Sequence, residues 1–355
     1  MTTSDGPEDF EALRAAATGG DVDAQFYLGH RYYRGDGVPQ NDGEAVKWWL
    51  LAAQQGCAEA SYNLHLLWKR GRAPAIDAAT ALRCLRDAAE WGLARAQARL
   101  GRKLAKSDDT NDRVESVEWF RRAAAQDDAT APCWLGMAYA YGCGVERDPA
   151  TALHWFRIGA QLGDRISQYR LGMMLAEGDG APADEAGAIE LWRVAAAKGD
   201  ARAHYALGLA FESGHGVAID LVEAASCYRL AAELGHASAQ NNLATLLEEG
   251  KGVVRDIDEA IRWYEAAAQQ RDEVAEFNLG RIHVRRPGLD NLVRGFAWIC
   301  EAILDGHEPA VAWRDDILAK VSSAQRPSFE AMRQKIESGI RVVKVVPVRR
   351  DQEDG

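Results

Sequence analysis

Residues 27–42 read YLGHRYYRGDGVPQND, which is a Leu-Gly pair followed by aromatic residues, a Gly-x-Gly and an Asp. The same order of residues returns in CWLGMAYAYGCGVERD (133–148), YRLGMMLAEGDGAPAD (169–184), YALGLAFESGHGVAID (205–220) and NLATLLEEGKGVVRD (242–256). With the Leu of each copy as an anchor, every step along the chain is 36 residues except one of 35. The anchors are Leu28, Leu64, Leu100, Leu135, Leu171, Leu207, Leu243 and Leu279. A register kept over eight copies indicates a repeat protein.

Each repeat contains two amphipathic helices. A small residue four positions before the anchor and a large residue four positions after it line one face of the first helix. The small residues are Ala24, Ala60, Ala96, Ala131, Ser167, Ala203, Ala239 and Ala275, and the large ones are Tyr32, Trp68, Leu104, Tyr139, Leu175, Phe211, Leu247 and His283. The second helix carries a column of core residues at Trp48, Cys84, Phe120, Trp155, Leu191, Cys227, Trp263 and Ile299. Because two helices cannot bury these faces alone, the repeats must stack on one another.

The pattern predicts an all-α fold, an α-solenoid of about eight 36-residue helix-turn-helix repeats that form a right-handed superhelix with helical caps. We expect an N-terminal capping helix within residues 1–20, the solenoid at 21–307, and two capping helices at 308–340. The third and eighth repeats are degenerate, since KSDDTND (106–112) lacks both turn glycines and the eighth repeat keeps only Gly288. Residues 341–355 are expected to be a flexible tail, or alternatively an extended segment that docks on a partner or into the groove of the chain itself.

The consensus unit, Ala-x-x-x-Leu-Gly-x-x-Tyr-x-x-Gly-x-Gly-Val followed by Asp, Ala, Trp and Ala-Ala, resembles the Sel-one-like (Sel1-like) repeat family over roughly residues 8–307. This family is related to the tetratricopeptide repeats and has two more residues in each unit. The resemblance implies a scaffold or adaptor that binds other proteins. It implies no particular partner.

The Gly-x-Gly turns do not have the pattern of phosphate-binding loops. A P-loop follows a strand and ends in Gly-Lys-Ser/Thr, and a dinucleotide-binding loop needs a third glycine at the start of a helix. Here Gly35 and Gly37 follow a predicted helix, and their equivalents recur once in most repeats. We interpret them as turn glycines, and Asp148, Asp184, Asp220 and Asp256 as N-caps of the helices that follow.

No catalytic, metal-binding or cofactor-binding residues are predicted. The six cysteines include no Cys-x-x-Cys, and Cys84, Cys227 and Cys300 fall in core columns, which indicates reduced thiols, with Cys143 the most exposed. The eight histidines lack the spacing of a metal helix, and no Ser-x-x-Lys or Gly-x-Ser-x-Gly occurs. We therefore expect no enzyme, and a small-molecule hydrolase is only a remote alternative.

Charge and hydrophobicity predict a cytoplasmic protein. The net charge of −11 disfavours nucleic acid as a partner, because phosphate contacts need a concentrated basic face. The first residues lack the pattern of a secretory signal, and no apolar run is long enough for a membrane span. We expect no membrane insertion, and a monomer rather than an oligomer.

The candidate partner-binding residues are those that vary between repeats on the first helices, which line the concave side of a solenoid. Positions two, five and six after the anchor are apolar in places, basic in the first half of the chain and acidic further on, where Glu177, Glu212, Glu248 and Glu249 stand. Such a groove fits an amphipathic helix or extended peptide in a preferred direction. The predicted residues are His30, Tyr33, Arg34, Leu66, Lys69, Arg70, Arg102, Met137, Tyr141, Met173, Leu209 and Arg281. The alternative is a solvated face with a few additional core methionines.

We therefore predict a non-catalytic scaffold or adaptor that binds a partner protein or peptide along this groove. The alternative is a neutralising, immunity-type or regulatory protein that wraps and blocks a bacterial toxin or effector enzyme.

Overall fold

The computed structural model describes residues 7–340, so the tail predicted at 341–355 lies outside the described residues. Nineteen α-helices and no strand occur within this part of the chain, which confirms the predicted all-α class. The helices are α1 Pro7–Thr18, α2 Val22–Arg34, α3 Asp42–Gln54, α4 Ala58–Lys69, α5 Ala78–Glu90, α6 Ala94–Leu104, α7 Thr110–Ala124, α8 Ala131–Tyr141, α9 Pro149–Gln161, α10 Arg165–Glu177, α11 Glu185–Ala197, α12 Ala201–Ser213, α13 Leu221–Glu233, α14 Ala237–Glu249, α15 Ile257–Ala268, α16 Glu273–Arg285, α17 Leu289–Leu304, α18 Ala310–Lys320 and α19 Arg326–Glu337.

The helices belong to two compact units. The N-terminal unit comprises the described residues up to Ser167 together with Asp179–Ala181, and the C-terminal unit comprises Gln168–Gly178 and the described residues from Pro182. Within each unit the helices pack in chain order as antiparallel pairs, such as α2 with α3, α4 with α5 and α12 with α13. These pairs are the helix-turn-helix repeats expected from the sequence.

In five of the helix pairs an aromatic ring packs on a glycine. The ring of Trp49 in α3 lies against Gly29 in α2, so close that a Cβ on Gly29 would stand 2.6 Å from the indole. Its Nε1 also donates to the carbonyl oxygen of Phe26 at 3.1 Å. The same ring-on-glycine contact recurs at Phe120 on Gly101, Phe156 on Gly136, Trp192 on Gly172 and Tyr228 on Gly208. The glycine of each Leu-Gly therefore allows two helices to approach closely.

The most buried ring stands one residue later than the predicted core column in most repeats. Trp49, Phe156 and Tyr264 are almost fully buried, whereas Trp48, Trp155 and Trp263 are only partly buried. Phe120 is the exception and lies in the predicted column, because the shortened turn of the third repeat shifts α7 by one position.

The predicted turn chemistry is confirmed. The carboxylates of Asp148, Asp184, Asp220 and Asp256 accept backbone N–H groups at the starts of α9, α11, α13 and α15. Gly35 and Gly37 have φ values of 79° and 73°, in the left-handed region that other residues avoid.

The first and the last of the described helices pack on helices of their own units. Ala17 of α1 is buried with Ala24 and Leu28 of α2. At the other end Phe329 of α19 packs on Phe296 of α17, with ring centroids 4.9 Å apart. Each of these contacts buries apolar surface within its own unit.

Candidate partner-binding site

Five of the predicted partner-binding residues surround one cavity between α2 and α4. This α2–α4 cavity has a volume of about 270 Å³. Its lining includes the predicted residues His30, Tyr33, Arg34, Leu66 and Arg70. The other residues that line it are Phe26, Trp49, Asn63, Leu67 and Arg95. Trp49 and Leu67 give it an apolar floor, and arginines stand on its rim.

The rim of the α2–α4 cavity is held in place by contacts within the chain. The Tyr33 ring lies 5.6 Å from the Trp49 ring, and the Tyr33 hydroxyl accepts a hydrogen bond from Arg70. The Arg72 guanidinium lies 5.0 Å from the Tyr33 ring centroid and donates to both oxygens of Asp42, at 2.7 and 2.8 Å. Tyr33 is thus fixed before any partner binds.

A second cavity lies between α4 and α6. This α4–α6 cavity has a volume of about 390 Å³, and two predicted residues, Lys69 and Arg102, line it. The remaining lining consists of His65, Trp68, Leu85, Arg99, Lys103 and Lys106. Its charged side chains are all cationic, and only Lys69 and Arg102 among them belong to the predicted partner-binding residues.

The pKa values of two histidines follow from this setting. Burial lowers the pKa of His65, and the hydrogen bond to the Ala81 carbonyl oxygen opposes this effect. The cations Arg99, Lys69 and Lys103 lower the pKa further. Burial and then Arg34 lower the pKa of His30, against a small opposing effect of Asp36. The His65 Nδ1 lies 3.0 Å from the Ala81 carbonyl oxygen and donates to it.

Two further predicted residues lie on α8, outside these two cavities. Met137 is half-buried, and Tyr141 at the end of the helix is 59% exposed. Neither residue lines the α2–α4 or the α4–α6 cavity. The Arg102 guanidinium reaches α8, where it lies 5.2 Å from the Trp134 ring centroid.

The predicted residues of the C-terminal unit have different environments. Met173 packs against a core cluster that includes Ile189 and Trp192, whereas Leu209 is 40% exposed. The Arg281 guanidinium pairs with the Glu248 carboxylate at 2.6 Å, and that carboxylate also accepts the Tyr264 hydroxyl at 3.1 Å. Arg281 therefore stabilises its own unit through an internal ion pair.

The residues that the sequence analysis missed share one helical face with those it found. In α4, Asn63 stands one position before the anchor Leu64, and Leu66 and Leu67 stand two and three after it. Arg70, the residue that follows α4, stands six after the anchor. Three cavity-lining residues of α6, Arg99, Arg102 and Lys103, and Lys106 in the turn that follows occupy the same four positions around Leu100. Residues three and four apart lie on one face of a helix. The positions one before and three after the anchor could therefore have been predicted as partner-binding positions too.

The described residues contain no group of three or more His, Cys, Asp or Glu side chains that could hold a metal ion. A serine and a histidine do meet, at Ser213 Oγ and His215 Nδ1, which are 2.9 Å apart in an exposed turn. The single hydroxyl proton of Ser213 is donated to the Leu209 carbonyl oxygen at 2.7 Å, so that His215 must be the donor in this contact. A general base has to accept the serine proton, and His215 does not do so here.

None of the helices that the structure describes is long and apolar enough to cross a membrane.

Comparison with known structures places this fold among repeat proteins of bacteria. The protective antigen c5321 of uropathogenic Escherichia coli strains, described as displaying an SLR fold, is 31% identical with a TM-score of 0.76. That match covers 94% of this chain and 73% of the other. A Sel1 repeat protein from Oxalobacter formigenes is 33% identical with a TM-score of 0.64, over 78% of this chain and 80% of the other.

A curated relative and a family model complete the comparison. The uncharacterized protein NMB1327 of Neisseria meningitidis is 32% identical over 127 residues, which are 36% of this chain but only 26% of that protein. The model of the Sel1 repeat matches residues 22–57, 94–128, 131–164, 165–200, 201–236 and 237–272. These matches cover more than half of the sequence and confirm the resemblance, and the chain therefore belongs to the Sel1 repeat family.

Proposed function

We propose that this protein is a non-catalytic scaffold or adaptor that binds a segment of a partner protein along its first helices, with the α2–α4 cavity as the anchoring site. Sel1 repeat proteins generally mediate protein–protein interactions. The observation that carries the proposal is the convergence of His30, Tyr33, Arg34, Leu66 and Arg70 around one apolar floor. These residues are free of the repeat consensus, so their presence is not explained by the packing that all repeats share.

The size of the α2–α4 cavity favours a peptide side chain over a small-molecule cofactor. Its volume of about 270 Å³ is below the ~300–1,000 Å³ that is usual for small-molecule sites. An apolar floor within a polar rim is the arrangement in which a Leu, Phe or Trp of a partner is fully desolvated. Because Tyr33 and Arg70 already contact each other, binding would order few additional side chains.

A comparison of two leucine variants tests this function. The full-length protein is used to capture partners from cells, and the captured protein is then purified and titrated directly. We expect Leu66→Glu to weaken binding by about 2 kcal/mol or more, which is roughly 30-fold in Kd. Leu51→Glu is the matched control, because Leu51 is an exposed leucine of α3 that lines neither cavity.

Circular dichroism and thermal unfolding of both variants establish that they remain folded. Asn63→Glu gives a second test at the same cavity, should Leu66→Glu lower the unfolding temperature. Equal affinity of the wild type, Leu66→Glu and Asn63→Glu would exclude the α2–α4 cavity as the anchoring site. The captured protein also distinguishes a scaffold from a neutralising protein, since a neutralising protein inhibits the activity of its partner.

A further inference from the structure

The α4–α6 cavity and its surroundings concentrate positive charge in a chain of net charge −11. Lys69 comes from α4, Arg99, Arg102 and Lys103 from α6, and Lys106 from the turn that follows. The adjoining α2–α4 cavity adds Arg34, Arg70 and Arg95. No Asp or Glu lines either cavity.

The cations of the α4–α6 cavity lack the carboxylate partners that some other arginines of the N-terminal unit have. Arg86 pairs with Glu115, and Arg147 pairs with Asp179 at 2.6 Å. Within residues 7–340, the structure shows no ion pair between a carboxylate and Lys69, Arg99, Arg102, Lys103 or Lys106. The charge of this cluster is thus available to an external anion.

Two of the guanidinium groups are oriented by aromatic rings rather than by acids. The Arg99 guanidinium lies 5.6 Å from the Tyr62 ring centroid, and that of Arg102 lies 5.2 Å from the Trp134 ring centroid. Trp134 in turn stacks on Phe120, with ring planes 10° apart. Such contacts hold an arginine in place and leave its N–H donors free to bind a carboxylate.

The floor of the α4–α6 cavity is apolar. Leu85 is fully buried beneath it, and the Trp68 ring is partly buried beside His65. A side chain with an apolar stem and an anionic end matches this arrangement, because the stem covers the floor while the carboxylate contacts the cations. Glutamate has this form.

We propose that the α4–α6 cavity recognises a run of acidic residues in the partner segment, so that the partner is an acidic peptide. This inference rests on the proposed function of the groove and adds the chemistry of its occupant. The cations of α6 from Arg95 to Lys103 extend over roughly 12 Å of helix at ~1.5 Å per residue. An extended peptide at ~3.3 Å per residue covers this length with about four residues.

The spread of the cations distinguishes an acidic peptide from other anions. A single phosphate group is too small to contact cations that are distributed along α6 and across to Lys69 on α4. A long nucleic acid extends beyond the cluster and meets the strong negative charge of the rest of the chain. A short acidic segment uses the whole cluster and avoids that repulsion.

The test uses the full-length protein and a fluorescein-labelled peptide with four consecutive glutamates between Gly-Ser flanks. Fluorescence anisotropy at low salt measures its Kd, and a peptide with glutamines in place of the glutamates is the reference. We expect binding of the glutamate peptide only, with an affinity that falls as salt is added. The bound carboxylates should also raise the pKa of His65 in an NMR titration, since they offset the nearby cations.

A triple variant and a matched control locate the binding site. Lys69→Gln, Lys103→Gln and Lys106→Gln together remove three exposed charges from the cluster, and we expect the Kd to rise about tenfold or more. The control carries Arg83→Gln, Arg157→Gln and Lys335→Gln, which make the same charge change at exposed positions outside both cavities. The control should bind the glutamate peptide as the wild type does.

Three results with the peptide probe would overturn the acidic-peptide proposal. They are equal affinities of the triple variant and its control, equal affinities of the glutamate and glutamine peptides, and complete displacement of the probe by inorganic phosphate or single-stranded DNA at equal concentration. A captured partner that binds Leu66→Glu weakly but binds the triple variant as tightly as the wild type also contradicts the acidic-peptide proposal. The proposed function stands in that case. In the converse result, the triple variant loses the glutamate peptide while Leu66→Glu binds the captured partner as the wild type does. That result would contradict only the proposed anchoring site.

Discussion

In the repeats that keep a Gly-x-Gly turn, the two glycines have different roles. The first, such as Gly250, ends the first helix in the left-handed conformation, where its N–H donates to the Leu246 carbonyl oxygen. In the Gly-x-Gly turns after the first one, the second glycine also touches the preceding repeat. A Cβ on Gly252 would stand 2.1 Å from the carbonyl oxygen of Leu221, at the start of α13. The second glycine therefore permits two repeats to contact each other through their backbones.

This contact predicts a large stability cost for Gly252→Ala. The left-handed φ of 68° costs about 1–2 kcal/mol for alanine, and the close approach to Leu221 adds about 1–3 kcal/mol. Gly199→Ala is the matched control, because Gly199 has a similar φ of 74° and nothing within 4 Å of an added Cβ. Urea unfolding of the two variants measures the difference. Equal free energies of unfolding would contradict the role assigned to the second glycine.

For individual residues, the sequence predicted roles in turns better than it predicted side-chain contacts between helices. Left-handed turn glycines and capping aspartates could be predicted because each depends on its own backbone conformation. The role of Gly29 could not, because it depends on where the Trp49 ring lies in another helix. The shift at Phe120 likewise results from a shortened turn, whose effect on α7 does not follow from a periodic pattern.

At the scale of helices, the second helix of most repeats begins at a capping side chain. Asp256 accepts the Glu259 N–H at 2.8 Å and so satisfies one of the free donors at the start of α15. We expect Asp256→Ala to lower the free energy of unfolding by about 1 kcal/mol, whereas Asp256→Asn, which keeps an acceptor oxygen, should change it little. Urea titration provides the measurement. An equal loss in both variants would indicate that charge rather than capping is responsible.

The candidate site shows what a helical pattern can predict. The face of α4 and α6 that lines the cavities follows from residue spacing. This spacing predicted Leu66 and Arg102, and it would also have predicted Asn63 and Arg99 had their positions been considered. The internal partners of these side chains could not be predicted, because they lie in other repeats. Arg281 has the same position as Arg102, yet it pairs with Glu248 and not with a ring. A position on the groove face thus does not establish that a side chain is free to bind.

In the protein as a whole, two buried and several partly buried histidines make stability depend on pH. Burial lowers the pKa of His30, His65, His204, His236 and His283. Because the pKa is lower in the folded than in the unfolded chain, the unfolded state binds more protons as the pH falls below about 6.5. The stability from the neutral imidazoles is present above that pH and is lost on acidification.

The carboxylates change the stability of the fold at more acidic pH than the histidines do. Hydrogen bonds lower the pKa of Asp77 and Asp148 below their usual 3.8, so they lose their stabilising charge only at lower pH. Burial raises the pKa of Asp272 and Glu265, and protonation of these two groups opposes the loss from the histidines at the acid end. The change in the free energy of unfolding between neutral and mildly acidic pH is therefore assigned mainly to the histidines.

We expect the free energy of unfolding to fall between about pH 7.5 and about pH 5.5, and to fall less in a His283→Leu variant. His283 is buried at a position where other repeats place Leu104, Leu175 and Leu247, so leucine should fit this site and remove one titrating group. Urea titrations at both pH values provide the measurement, with the exposed His154 changed to Gln as the control. A fall of the same size in the wild type and in His283→Leu would show that protonation of His283 does not contribute to acid destabilisation. The protein would then accommodate His283 equally well in its neutral and its charged form, whereas the lowered pKa indicates that burial disfavours the charged form.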